Sequence, residues 1–208
     1  MKVLAISDKI DPLIYSPRIR SLVGPVELVL GCGDLAPYYL DYVISMLDVP
    51  CFWVYGNHAS GAEFRQEGMH EGYRRHPMDI HGRVVVEQGL VIAGLEGSIR
   101  YNSNPRFQYT QTEMRLNTWK LIPAMLWQRA RLGRHLDILV AHSPPAGIHD
   151  GSDRAHQGFE SFLWLMRTFR PRYLLHGHKH VYRSDEVTET RYHDTTVINV
   201  YPWKVLDL

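Results

Sequence analysis

An α/β fold, a parallel sheet covered by helices, is predicted by three features of this 208-residue chain. Short apolar runs of strand length recur at residues 3–6, 26–30, 51–55, 136–141 and 173–175. Segments with helical spacing of apolar residues alternate with them. Glycine-containing turns follow several of the runs, at Gly31-Cys32-Gly33, at Gly56 and at Gly177.

Taken in order, residues 3–6 read as a buried strand and 7–17 as a long turn with two prolines. Ser16-Pro17 starts a helix that places Ile19, Leu22 and Val23 on one face, and Gly24-Pro25 ends it. A strand at 26–30, a helix at 38–47 and a strand at 51–55 follow. Residues 61–82 are polar, with clustered His and Arg, and read as irregular or partly helical. Residues 83–87 and 90–95 pair as a hairpin through Gln88-Gly89, and 100–110 form a polar, aromatic loop. The helix over 112–132 should be kinked or split by Pro123. A strand at 136–141, an amphipathic helix at 159–169, a strand at 173–175 and a late strand at 195–201 complete the chain. No repeat or linker interrupts it, so residues 1–208 are expected to form one domain.

Composition narrows the function. Hydrophobic residues make up 45% of the chain without low-complexity tracts, as in an ordinary globular protein. A net charge of +1 gives the chain as a whole no pull towards nucleic acid or an anionic membrane. Cys32 and Cys51 are the only cysteines and read as free thiols of a reducing compartment. The first apolar run stops at Ser7-Asp8-Lys9, too short for a signal peptide or a membrane span, so a cytoplasmic protein is expected. The 12 histidines matter because neutral imidazole is the commonest metal ligand.

Five strand-like runs end in side chains that bind metals. They are Ser7-Asp8, Gly33-Asp34, Gly56-Asn57-His58, Ala141-His142 and His176-Gly177-His178-Lys179-His180. Strand carboxyl ends in an open α/β sheet line one edge, where ligands bind, so these segments are expected to converge. A phosphate ester resists hydrolysis because its anionic oxygens repel a nucleophile. Two divalent cations about 3.5–4 Å apart clamp those oxygens and acidify a bridging water. Singly, each segment has an ordinary reading: Asp8 and Asp34 as turn or capping residues, Asn57 as a turn residue, His142 as a satisfied loop histidine. Five in order, each behind a predicted strand, favour a shared site.

The ordered set Asp8, Gly33-Asp34, Gly56-Asn57-His58, His142 and Gly177-His178-Lys179-His180 resembles the calcineurin-like metallophosphoesterase superfamily, over essentially the whole chain. The resemblance implies a four-layer sandwich, α/β (α+β in some schemes), of two mixed β-sheets flanked by helices, with the metal site at one edge. It implies that Asp34 bridges two divalent ions, that Asp8 and His180 bind the first, and that Asn57, His142 and His178 bind the second. His58 would contact the scissile phosphate and protonate the leaving oxygen. Mn²⁺ is the expected metal, and Fe, Zn²⁺ and Mg²⁺ also suit this N/O donor set. The implied activity is hydrolysis of a phosphomonoester or phosphodiester by a metal-activated water. The expected partner is a small-molecule or nucleotide phosphate ester, with no membrane; a nuclease shares the chemistry but needs a basic groove, and the near-neutral charge disfavours it.

One position departs from the family pattern. The first motif is usually Asp-x-His, and the residue two after Asp8 is Ile10, which offers no ligand. The first metal would keep Asp8, Asp34 and His180 and bind more weakly. Ile10 also motivates an alternative, a non-catalytic binding module that keeps the fold and holds a partner at the altered site.

Other residues have weaker readings. His176 reads as a packing or hydrogen-bonding residue. His149, Asp150, Asp153 and His156 read equally as a substrate mouth or a solvated loop. Arg100 or Asn102 would touch a phosphate in one reading and shape a turn in the other. Arg115, Arg129, Arg131 and Arg134 read as a solvated basic face, with a polyanion contact as the minor alternative. Trp119, Met125, Leu126 and Trp127 read as core, and Cys32 as a small buried thiol.

Overall fold

Strands buried on both faces form the centre of the fold, which is why they appear in the sequence as continuous apolar runs. The computed structural model describes residues 1–58, 76–103 and 106–208. In the first sheet β1 (Lys2–Ile6), β2 (Leu28–Gly31) and β3 (Cys51–Trp53) run parallel. The chain's last strand, β12 (Trp203–Asp207), pairs antiparallel with β1, giving the order β12-β1-β2-β3. The second sheet contains β4 (Val84–Glu87), β5 (Leu90–Leu95), β8 (Ile138–Ala141), β9 (Tyr173–His176), β10 (Glu189–Tyr192) and β11 (Thr195–Asn199). Its order is β10-β11-β9-β8-β5-β4, parallel in the middle and antiparallel at both edges. A short parallel pair, β6 (Ser98–Ile99) and β7 (Gln108–Tyr109), stands apart.

The two-residue alternation of each strand sorts its side chains into layers. Val3, Ala5, Leu28 and Leu30 from the first sheet share one buried cluster with Ile92, Ile138, Val140, Leu175 and Ile198 from the second. The intervening residues point the other way. Leu4, Ile6 and Val29 pack under α1 (Ile19–Val23) and α2 (Pro37–Leu47). Ala93, Leu95, Leu139 and Leu174 pack under α3 (Gln111–Lys120), α4 (Ile122–Leu132) and α5 (Glu160–Phe169). The result is helix, sheet, sheet, helix, the expected mixed-sheet sandwich.

Local chemistry sets the helix ends. Thr110 caps α3 by accepting from the Glu113 amide while the Glu113 carboxylate accepts from the Thr110 amide, a reciprocal capping box. Gly133 ends α4 in a left-handed conformation. Pro123 does split the predicted long helix, with Leu121 as the single joint between α3 and α4.

Several expectations need correction. Strands β10 and β12 were not predicted, and residues 108–109 of the supposed loop are β7. Leu22 is exposed, so α1 buries only Ile19 and Val23. Trp119, Leu126 and Trp127 are also exposed, because α3 and α4 turn Met114, Thr118 and Met125 inwards instead. Most of the polar segment predicted at 61–82 lies outside the described residues. Both cysteines are free and buried. Among the described residues, no helix is long and apolar enough to cross a membrane.

Candidate metal centre

The carboxyl ends of β1, β2 and β3 in one sheet, and of β8 and β9 in the other, deliver the five motif segments to one edge. Asp8, Asp34 and His142 meet there, with ligand atoms all within 4.8 Å of one another. Asp8, Asp34 and His178 each adopt a left-handed backbone, with φ of 62°, 53° and 65°. Asp and His tolerate this region better than most residues, and it bends the chain back so that a side chain leaves the strand end sideways. Two glycines make room. A Cβ at Gly56 would overlap the Asp34 carboxylate and sit 2.6 Å from the Asp34 amide nitrogen, and one at Gly177 would overlap Ser7 and Asp8.

Hydrogen bonds fix the orientation of each donor. The His58 amide donates to Asp34 Oδ1 at 2.8 Å, leaving Oδ2 3.3 Å from His142 Nε2. His142 Nδ1 donates to the Cys32 carbonyl at 2.9 Å, so its Nε2 faces Asp34 and also Asn57 Oδ1, 2.9 Å away. Asn57 is held the right way round by its amide nitrogen, which donates to Tyr101 Oη at 3.2 Å. Asp8 Oδ2 accepts from the His178 amide at 2.9 Å and from the Ser7 hydroxyl, while its Oδ1 lies 3.7 Å from His180 Nε2. His178 Nε2 donates to the Ala155 carbonyl at 2.7 Å, which frees Nδ1. His180 bonds Tyr182 Oη through Nδ1 at 2.8 Å and stacks on Tyr201.

Charges follow from this geometry. Burial alone would raise Asp34, but the adjoining His142 and the His58 amide bring it down to about 2. Burial also pushes Asp8 up, and the nearby His180, His142 and Ser7 outweigh it, leaving the carboxyl below its ordinary value. Burial would lower His142, yet Asp34, Asp8 and the Cys32 carbonyl raise it to about 9. His178 falls to about 4 through burial and repulsion from His142. His180 is raised by Asp8.

The donor set fits a divalent cation. With its Nδ1 proton on Cys32, a neutral His142 would aim a bare lone pair at two oxygen acceptors. Something positive must stand among them, either a proton or a metal ion, and the raised His142 basicity is the proton's version of that demand.

Of the six expected ligands, Asp8, Asp34 and His142 bring donor atoms within 4.8 Å of one another, Asn57 bonds His142, the His178 ring lies 4.8 Å from that of His142 and His180 lies beside Asp8; the His58 side chain lines the adjoining cavity of about 390 Å³ with Asp8, Asp34, His178 and His180. The loop after His142 divides: Asp153 and His156 line the cavity, whereas His149 turns away to bond His176 and Thr190. His176 is buried with both ring nitrogens engaged and acts structurally. Arg100 bonds Glu113 and the Gln108 carbonyl through one guanidinium nitrogen, as in its structural reading. Ile10 is half-buried and packs against the cluster beneath α1 and α2. Sequence reasoning missed Tyr182, which lines the cavity, and the carbonyls of Cys32 and Ala155. The carbonyls have no side-chain signature, and only the aromatic residue two after His180 offered a clue.

A sheet edge where carboxylates and imidazoles converge beside a cavity lined by charged side chains is an arrangement suited to holding divalent cations. The family model of calcineurin-like phosphoesterases matches residues 1–182, and the chain belongs to that family. No curated protein sequence matches the chain at a significant level. Among solved structures, TT1561 of Thermus thermophilus is similar at 16% identity and a TM-score of 0.62, covering 96% of this chain and 88% of that one. GAP50, described as the anchor in the inner membrane complex of Plasmodium, is similar at 12% identity and a TM-score of 0.53, over 96% and 70%. At these identities the likeness is one of fold.

Proposed function

We propose that the chain is a metal-dependent phosphoesterase acting on a phosphomonoester or phosphodiester of a small molecule or nucleotide. The observation that carries this reading is the meeting of Asp8, Asp34 and His142 within 4.8 Å beside a polar cavity. Asp34 would bridge two divalent ions, Mn²⁺ by preference. Asp8 and His180 would hold one, and Asn57, His142 and His178 the other. When bound, the ions neutralise phosphoryl oxygens and acidify a water.

The chain's own groups position and protonate. The Cys32 and Ala155 carbonyls set the tautomers of His142 and His178, and so choose which nitrogen faces the centre. The His58 amide orients Asp34 while its imidazole, on the cavity wall, hydrogen-bonds a phosphoryl oxygen and gives a proton to the leaving oxygen. Lys179 and His156 line the same wall and offer hydrogen bonds to an anionic substrate. Two buried free thiols suit a reducing compartment, the cytoplasm.

The test is turnover of generic monoester and diester substrates by protein purified with Mn²⁺. Asp34→Ala and His178→Ala should abolish turnover with circular dichroism unchanged. Native rates in both variants would sink the mechanism. A second reading, a non-catalytic module, is favoured by one observation: Ile10 faces the apolar cluster and gives the first metal nothing. Tight metal binding without turnover on any phosphate ester would select that reading.

A further inference from the structure

The α3–α4 segment presents an unusual surface. Five of the twelve exposed large hydrophobic side chains among the described residues fall between positions 116 and 132: Leu116, Trp119, Leu126, Trp127 and Leu132. Trp119 is 46% exposed and Trp127 61%. Charge is segregated in the same stretch. From Arg115 to Arg134 the sequence holds Arg115, Lys120, Arg129, Arg131 and Arg134 and no Asp or Glu, although the whole chain carries only +1. Arg134 is paired with Asp137, but the other four have no acidic partner among the described residues.

Backbone geometry brings Leu116, Trp119, Lys120, Trp127 and Arg131 to one side, whereas Arg129 and Leu132 stand four residues after the buried Met125 and Gln128 and lie off it. Leu121 joins the helices with φ −75° and ψ −22°, which keeps the helical winding across the joint. The three- and four-residue spacing of Leu116, Trp119, Pro123 and Trp127 therefore continues as one stripe, opposite the buried Met114, Thr118 and Met125. Arg115 stands over the Trp119 ring, 5.6 Å from its centroid, so cation and aromatic occupy the same face.

We infer that this face lies on an anionic lipid surface. Tryptophan and leucine beside cations suit the boundary between acyl chains and headgroups: rings and aliphatic side chains enter the apolar region while Arg and Lys reach the phosphates. The near-neutral total charge gives no such pull; the local distribution does. A second copy of the chain fits poorly, because a twofold contact would oppose two cationic faces. Nucleic acid would use the cations and could stack on the tryptophans, but would leave the exposed leucines without a role.

The experiment is vesicle flotation of the full chain with phosphatidylcholine alone and with phosphatidylcholine mixed with phosphatidylglycerol. Binding should appear with the anionic vesicles only and weaken with added salt. Each cation at such a surface contributes about fivefold to affinity, so Lys120→Glu with Arg131→Glu should reduce binding at least tenfold. Trp127→Ser should weaken it separately. All these positions are exposed, and unchanged circular dichroism and unchanged metal binding in the variants would show that the fold and the metal centre are intact. Equal flotation with neutral vesicles, or native binding by the variants, would overturn the inference. So would binding of single-stranded DNA, of an acidic protein or of a second copy through this face with no vesicle binding.

Discussion

Raising the pH should loosen the metal-free protein and tighten its hold on metal, and His142 sets both magnitudes. Its ring titrates near 6.5 in an unfolded chain and at about 9 in the folded, metal-free one. The folded state thus binds this proton more tightly, and the proton stabilises the fold. The stabilisation is fully present below pH 6.5 and is lost as the pH rises through 9. At about 1.4 kcal/mol per pH unit the gap amounts to about 3 kcal/mol. The same contact lowers Asp34, so the two effects describe one interaction and are not added. A metal ion at His142 Nε2 must displace the proton. Well below pH 9, each unit of acidification should therefore weaken binding about tenfold, and affinity at pH 7 should be roughly 50-fold lower than at pH 9, where half the rings have already lost the proton. Calorimetric Mn²⁺ titration in buffers of different ionisation enthalpy counts the protons released. About one per metal is expected from His142 at pH 7, approaching none above pH 9. An affinity that is flat from pH 6.5 to 9, with no proton released at pH 7, would show that His142 is not the ligand.

Three further outcomes are expected. Gly56→Ala forces a methyl group into the Asp34 carboxylate, which should cost about 1–3 kcal/mol, lower the melting temperature by roughly 2–4 °C per kcal/mol, and abolish Mn²⁺ binding; a variant that still takes up metal normally would contradict the close approach. Metal titration of the wild type should be biphasic, with the centre around Asn57, His142 and His178 filling first, and Ile10→His should merge the phases by strengthening the site at Asp8 and His180. Thr110→Ala removes half of the α3 capping box and should cost about 1 kcal/mol in thermal denaturation, leaving metal affinity and turnover at wild-type values.

How much of this was legible in the sequence depends on where each fact resides. The candidate metal ligands stand at the ends of apolar runs, and a strand buried on both faces announces its end when polarity begins. Ser7-Asp8, Gly33-Asp34 and His142 could therefore be placed in order before their convergence was known. Strand β10 was not legible because its burial alternates between exposed and half-buried, as at a sheet edge. Nor was β12, which is half-buried along most of its length and is defined by its pairing with β1. The fate of Arg100 depends on Glu113, 13 residues away, and no local pattern reports an ion pair formed when β6 and the start of α3 dock. The exposed tryptophans misled for a related reason. Hydrophobicity says that a side chain leaves water, and only packing says whether it does so into the core or onto something outside the chain.

Ile10 joins the two levels. As a letter in the sequence it marks a missing ligand. In the structure it packs into the cluster with Ile14, Ile19 and Tyr39. A half-buried aliphatic side chain there favours the fold, whereas a histidine turned towards Asp8 would give up that contact to gain a metal bond. Asp8 itself remains oriented, because the His178 amide and the Ser7 hydroxyl hold its Oδ2 and leave Oδ1 facing His180. Two candidate donors, Asp8 and His180, thus stay in position near Asp34. On the proposed function a substrate phosphate oxygen would supply the ligand that residue 10 does not, and occupancy of the first site should then depend on substrate concentration as well as on metal.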